Sequence, residues 1–365
     1  MVFFLQQRIC RFIESRQGFH KGGNNNTNVD LSSVIEIVSG GQGFAALKSN
    51  GSVIAWGNTY VGADISKNNP NYATNLSSGV VKIYSSIGAY CALKSNGSVI
   101  AWGHADWGGS LDDGVYGVHG GSVSSGVVSI YASEQAFAAL KSNGSVVTWG
   151  NGARGGNIEL EGHNVSGQLD GTGSPITYIY SNAYAFAALK ENGSVVTWGD
   201  SSKGGDSSSV TSQLTGGVSK IFVTHEAFAA LKTDGSVIAW GNSSNGGNIS
   251  SNNSGWETNL GIGSTITHIY SNTYAFAALK ANGSVITWGN SSNGGDSSSV
   301  DSELTSDVVK IYSTSEAFAA LKSNGSVIVW GDQEFGGSST YPTDVTSNLT
   351  SGIVSFANYL DSIPT

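Results

Sequence analysis

The stretch that decides the fold is Phe44-Ala45-Ala46-Leu47-Lys48-Ser49-Asn50-Gly51-Ser52-Val53-Ile54-Ala55-Trp56-Gly57, because six near-copies of it follow. Its tryptophan returns at Trp102, Trp149, Trp198, Trp240, Trp288 and Trp330, in steps of 46, 47, 49, 42, 48 and 42 residues. Two short apolar runs about a turn, repeated with a period near 45, are the signature of a propeller or solenoid. Such repeats share one continuous core, so a chain of 365 residues is read as one array rather than as two or three domains. The array is placed at 34–357, after a basic leader and linker at 1–33 and before a tail at 358–365.

Each repeat can be read strand by strand. In one copy, 218–223 and 228–232 are β-rich runs and 236–240 is a third. Asp234-Gly235 between the last two, Asn-Gly in the other copies, predicts a two-residue hairpin turn, since Asn, Asp and Gly tolerate positive φ. The second run is apolar on both faces, with alanines between Phe and Leu, whereas a half-exposed sheet would alternate polar and apolar residues. Small residues on both faces imply a sheet sandwiched between neighbours. The expected fold is therefore all-β, a seven-bladed β-propeller with short three- to four-stranded blades.

Between the blades, 207–214 is expected to make one helical turn with Val210 and Leu214 inward. The stretches 150–240 and 241–330 match phrase by phrase, as duplication of a two-blade unit would leave them. The first-strand run occurs eight times, the last at 353–357, and the hairpin seven times. The surplus run either helps to close a ring or opens an eighth repeat. Closure is the expectation, because open sheet edges invite aggregation.

Composition excludes several functions. Residues 1–29 carry four cations (Arg8, Arg11, Arg16, Lys21) and one acid (Glu14), net +3; the remainder has 13 Lys or Arg against 25 acids, net −12. Seven of those 13 are the lysine of the repeat, evenly spread, and a phosphate-backbone site needs concentrated basic surface. Nucleic acid is disfavoured as a partner. No run of 18 apolar residues exists, so no spanning helix is expected.

Val2, Leu5, Ile9, Phe12 and Ile13 fall at helical spacing between arginines. The segment is either an amphipathic basic helix of membrane-surface or transit type, or a leader without fixed structure. Residues 22–28, Gly-Gly-Asn-Asn-Asn-Thr-Asn, read as a linker. No secretory signal is recognisable, and an extracellular or cell-surface location is the favoured one. Cys91 replaces a repeat alanine and is read as a buried free thiol rather than a disulfide to Cys10.

The phrase Ala-Leu-Lys-x-x-Gly-Ser-Val-x-x-Trp-Gly, followed by Asn-x-x-x-Gly-Gly, resembles the repeats of the regulator-of-chromosome-condensation superfamily. The short repeat and the Gly-Val-x-x-Ile first strand are most similar to the bacterial β-lactamase-inhibitor-type propellers. The resemblance covers about 34–357. It departs where Gly-Gln after the connector turn is Gly-Gly here (Gly204-Gly205, Gly294-Gly295), and where a histidine before the second strand is mostly missing. It implies a propeller that binds a protein partner through loops on one face; fold alone does not fix function.

Selective surface is expected in the connectors, where the repeats differ. The connector after the second blade supplies Asp106, Trp107, Asp112, Asp113, Tyr116 and His119; the next one along the chain supplies Arg154 and His163; later ones supply Trp256, Phe335 and Tyr341. Each is either an interface anchor or a solvated loop residue tucked against the blades. The histidines and aspartates of the second connector meet no established metal spacing, and no nucleophile motif, phosphate loop or carboxylate pair stands out. The six Asn-Gly-Ser sequons are explained by turn chemistry, since Asp234 stands at the same position in the one remaining copy.

The leading reading is a non-enzymatic, monomeric binding module without cofactors, its partner a protein or a surface glycan. The alternatives are a polysaccharide-acting enzyme using Asp112, Asp113 and His119, or a structural block of a larger surface protein.

Overall fold

A computed structural model describes residues 31–62, 65, 70–112, 117–160, 164–249, 264–340 and 343–353. Among them are seven three-stranded antiparallel sheets, each ordered first–second–third strand, and one short α-helix, Pro70–Asn75. The fold is all-β, made of seven blades of propeller type. None of the described helices is long and apolar enough to cross a membrane.

The chain divides into two compact units at Ser201/Ser202. The first holds the blades at 34–57, 80–103, 127–150 and 176–199; the second holds those at 218–241, 266–289 and 308–331. In the opening blade, β1 (Val34–Ser39) pairs with β2 (Gly43–Lys48), and β2 with β3 (Val53–Gly57). The register sets Phe44 opposite Trp56, and the two rings stack at 5.4 Å. The same pair recurs in every blade at 5.1–5.5 Å, with Tyr90 standing in for Phe in the second.

Alanines on both faces of the middle strand do what the sequence implies. Ala89, Cys91 and Ala101 of one blade lie with Ile130, Phe137, Ala139 and Trp149 of the next in one buried cluster. The short side chains admit the aromatic pair of the following blade, and each such ring or Ile side chain contributes roughly 1.5–3 kcal/mol by burial. Cys91 is buried and free, and burial pushes its thiol pKa up. Cys10 lies outside the described residues, as do 354–357 and the leader.

The hairpin turn differs from the expected two-residue form. Lys48 N donates to Ser52 O and Gly51 N to Lys48 O, so the loop has three residues, and only Gly51 has positive φ (+78°). The reason is the asparagine: Asn50 Oδ1 accepts from both the Ser52 amide (3.0 Å) and the Ser52 hydroxyl (2.7 Å). Asp234 makes the same two bonds with Ser236. The Asn-Gly-Ser triplet is thus one hydrogen-bonded unit, with Gly alone in the left-handed conformation.

The repeat lysine also has a structural task. Lys94, Lys141, Lys232 and Lys322 each donate Nζ to a connector carbonyl 19 residues earlier, at 2.8–3.1 Å. The expected turn at 207–214 is a 3-10 helix, Ser208–Gln213, with Leu214 buried and Val210 half-buried.

Candidate functional site

Five blades turn from first to second strand through a Ser, Thr or Asn that pins the connector leaving the same blade. Ser86 Oγ donates to Trp107 O (3.0 Å), Ser133 Oγ to Arg154 O (3.0 Å), and Thr224 Oγ1 to Asn245 O (2.8 Å). Asn272 Nδ2 and Thr314 Oγ1 do the same for Asn293 O and Phe335 O. Turn and connector therefore share one edge of the blade, and the Asn-Gly hairpins lie at the strands' other ends.

The two residues after the pinning residue vary inside an otherwise constant repeat: Ile87-Gly88, Glu134-Gln135, Ala183-Tyr184, His225-Glu226, Thr273-Tyr274, Ser315-Glu316. Their backbones are tied in series. In the first unit, Gly41 N donates to Ile87 O, Ile87 N to Glu134 O, and Glu134 N to Ala183 O, at 2.9–3.0 Å. In the second unit, His225 N donates to Thr273 O and Thr273 N to Ser315 O. Variable side chains are thus carried on a fixed backbone.

The first unit presents aromatic and cationic groups on this edge. A Cβ on Gly88 would fall 1.9 Å from Trp107 Cε3, so the glycine leaves the space that the indole fills. His104 stacks on Trp107 at 4.6 Å. In the next blade, the Arg154 guanidinium lies 4.0 Å from the centre of the Tyr184 ring, and its Nη1 is 3.8 Å from Glu134 Oε2. That Nη1 is buried with no hydrogen-bond partner among the described residues.

The second unit carries a charged network instead. Glu226 Oε2 accepts from Lys203 Nζ (2.5 Å), Asn242 Nδ2 (2.6 Å) and Asn245 Nδ2 (3.0 Å), and Oε1 lies 3.8 Å from His225 Nδ1. Hydrogen bonding from His225, with the Lys203 charge and the Asn242 amide, holds the Glu226 carboxyl down at about 2 against burial. Between about 2 and the ordinary value of 4.5, the unfolded chain binds a proton that the folded chain does not, so stability falls as pH drops through that window. Glu226→Gln is expected to flatten the loss between pH 4.5 and 2, an effect of roughly 1–3 kcal/mol after solvent screening. Urea unfolding midpoints across that range, followed for wild type and variant, measure it; parallel curves would refute the assignment.

The expected site residues are not all gathered here. Trp107, Arg154 and Phe335 lie on the connector edges of their units, with Phe335 exposed. Asp106 is the middle residue of the 3-10 turn that ends at Trp107. Asp112 is exposed on the loop beyond, bonded to Ser110 Oγ (3.0 Å). His119 is elsewhere: its backbone pairs with Thr148 in mid-strand, a single bridge along the free side of the third strand, and its Nδ1 is 3.8 Å from Glu159. Asp113, Tyr116, His163, Trp256 and Tyr341 lie outside the described residues. No group of three metal-ligating side chains occurs among the described residues.

Sequence reasoning missed Glu134, Tyr184, Lys203 and Glu226. For Glu134, Tyr184 and Glu226 the signal was available: in six copies the pair changes freely between a Ser, Thr or Asn and a constant Ala.

No protein-family model matches this chain, and no curated protein matches it. Solved structures do. Yeast RCC1 (Prp20), in its complex with Kap60, is similar at 16% identity over 87% of this chain and 74% of that one, with a TM-score of 0.40. The ectodomain of the Physcomitrella patens receptor kinase CR4 is similar at 15% identity over 81% and 72%, with a TM-score of 0.37. Human WBSCR16 is similar at 14% identity over 68% and 74%, with a TM-score of 0.39.

Proposed function

We propose that the chain is a non-enzymatic binding module whose partner is a protein, held by the edge where turns and connectors meet. One observation carries the reading: the side chains that distinguish one repeat from another are collected on that edge, over a hydrogen-bonded backbone. The core positions on either side are nearly constant from copy to copy, so variation in these turn pairs, carried on a fixed backbone, points to selective contact there. Trp107, Arg154 and Tyr184 are the residue types that dominate protein interfaces. A backbone already fixed reduces the ordering cost of association. The finer likeness to β-lactamase-inhibitor-type propellers, drawn from the short repeat and its first strand, agrees with a protein partner. A surface glycan is the competing ligand for the same aromatics.

Trp107→Ala and Arg154→Ala are each expected to weaken the complex by about thirtyfold or more, at about 2 kcal/mol or above for an interface hot spot. The partner would be recovered with the intact chain from the source organism, purified, and titrated against each variant by calorimetry. Retained melting midpoints show that the blades are intact. Unchanged affinity in both variants would sink this edge as the binding surface, and capture of glycan alone would replace the protein partner.

A further inference from the structure

One position inside the strands also varies. It is the third residue of each first strand, set opposite the repeat leucine: Glu36 and Lys82 in the first two blades, Lys220, His268 and Lys310 in the last three. The last three belong to the second unit, on the strands Val218–Val223, Ile266–Ser271 and Val308–Ser313. Those strands follow one another in adjacent blades and approach within 8 Å, Cα to Cα. A base therefore stands at the same level in three consecutive blades.

Aromatic side chains two residues further on link the three bases. Lys220 Nζ lies 5.2 Å from the centre of the Phe222 ring, which meets the His268 ring at 5.3 Å and 77°. His268 in turn lies 4.5 Å from Tyr270, and Lys310 Nζ lies 4.7 Å from the centre of the Tyr312 ring. A lysine over an aromatic face is a favourable placement by itself. Three adjacent bases are not, since each disfavours the charge of the next. Burial and the Lys220 charge accordingly hold the His268 imidazole below its ordinary value. Among the described residues, no carboxylate pairs with any of the three.

Composition makes the row conspicuous. The second unit has six lysines and no arginine against thirteen acids. Lys232, Lys280 and Lys322 are repeat lysines and Lys203 is bonded to Glu226, so Lys220 and Lys310 are all that remain. In the first unit the same position places Glu36 within reach of the Lys82 charge, and the two offset each other. The row in the second unit has no such counterpart, and negative charge is what a ligand would bring.

We propose that Lys220, His268 and Lys310 form a binding site for a small multivalent anion of phosphate or carboxylate type. The ammonium groups supply compact charges and the imidazole a directional N–H. Each of the three precedes the pinning Thr or Asn of its blade by four residues, so the site lies about 13 Å along the strands from the turn edge. It is separate from the surface proposed for the protein partner and does not depend on it.

Pyrophosphate and citrate, each titrated into the intact chain by calorimetry at constant ionic strength in chloride, test the site and distinguish its two chemistries. At least one is expected to bind saturably, with a Kd of about 1 mM or tighter. Lys220→Gln and Lys310→Gln should each weaken that binding about fivefold or more, and Lys322→Gln should leave it unchanged. NMR titration of His268 in the wild-type chain gives a readout free of any variant. A bound anion favours the imidazolium, so the His268 midpoint should rise by about half a unit or more at saturation. The other titratable side chains on the strands packed around it are Lys220, Lys232, Tyr270, Lys280, Lys310 and Tyr312. None of them is a carboxylate that could mimic the shift. Binding weaker than about 1 mM for both anions, unchanged affinity in both lysine variants, or a His268 midpoint that stays put would overturn the site.

Discussion

Trp198→Ala is expected to cost the first unit about 4–6 kcal/mol, a large part of the stability of an ordinary domain. The side chain is 1% exposed, stacks on Phe186 at 5.2 Å and 13°, and donates to Gly155 O at 3.1 Å. Truncating a buried tryptophan leaves a cavity costing about 3–5 kcal/mol, and stranding the buried Gly155 carbonyl adds about 1 kcal/mol. Trp198→Phe keeps most of the ring and loses the bond, so its cost should be nearer 1–3 kcal/mol. Urea unfolding of the three proteins, followed by circular dichroism, gives both differences. A loss below about 1.5 kcal/mol for the alanine variant would mean that the joint between blades is not where the stability resides.

That joint also marks how far the sequence could be read. The six Phe-Trp pairs with their one Tyr-Trp counterpart, the alanine strands and the Asn-Gly turns were legible because each repeats at a fixed place in a fixed register, so three strands per blade follow from periodicity. What Trp198 bonds to was not legible. Its acceptor lies 43 residues earlier in a connector of variable length, and only the fold shows that Gly155 meets the next blade's aromatic pair. The departure from Gly-Gln to Gly-Gly becomes intelligible here, since a Cβ on the second glycine, Gly156, would strike the Gly150 carbonyl at 2.3 Å.

The residues gathered on the connector edge were only partly legible. Loop composition drew attention to Asp112 and His119, which the fold sends to an exposed loop and to the side of a strand. Trp107 and Arg154 were found because Trp and Arg are conspicuous in a chain poor in charge. Glu226 was not, because its partners Lys203, Asn242 and Asn245 look like ordinary connector residues until the turn brings the carboxylate among them.

Gly246→Val should be about as damaging as truncating the ring that the glycine supports, at about 2–6 kcal/mol. Gly246 has φ +98°, and a Cβ there would fall 2.6 Å from Phe276 Cδ2 and 2.7 Å from Cε2. Two costs add. A β-branched residue held at positive φ costs about 1–3 kcal/mol, and overpacking against a buried ring that cannot retreat costs about 1–3 kcal/mol more. Phe276 cannot retreat because it is buried and stacked on Trp288, whose own Nε1 is bonded to the Gly246 carbonyl. Gly336 offers the control, with φ +96° and nothing within 4 Å of its absent Cβ. Gly336→Val should therefore carry the backbone cost alone. The difference in unfolding free energy between the two valine variants isolates the clash, expected at about 1–3 kcal/mol. Equal losses would show that these glycines are required for their backbone conformation only, and that the close seating of ring on glycine adds nothing to the joint.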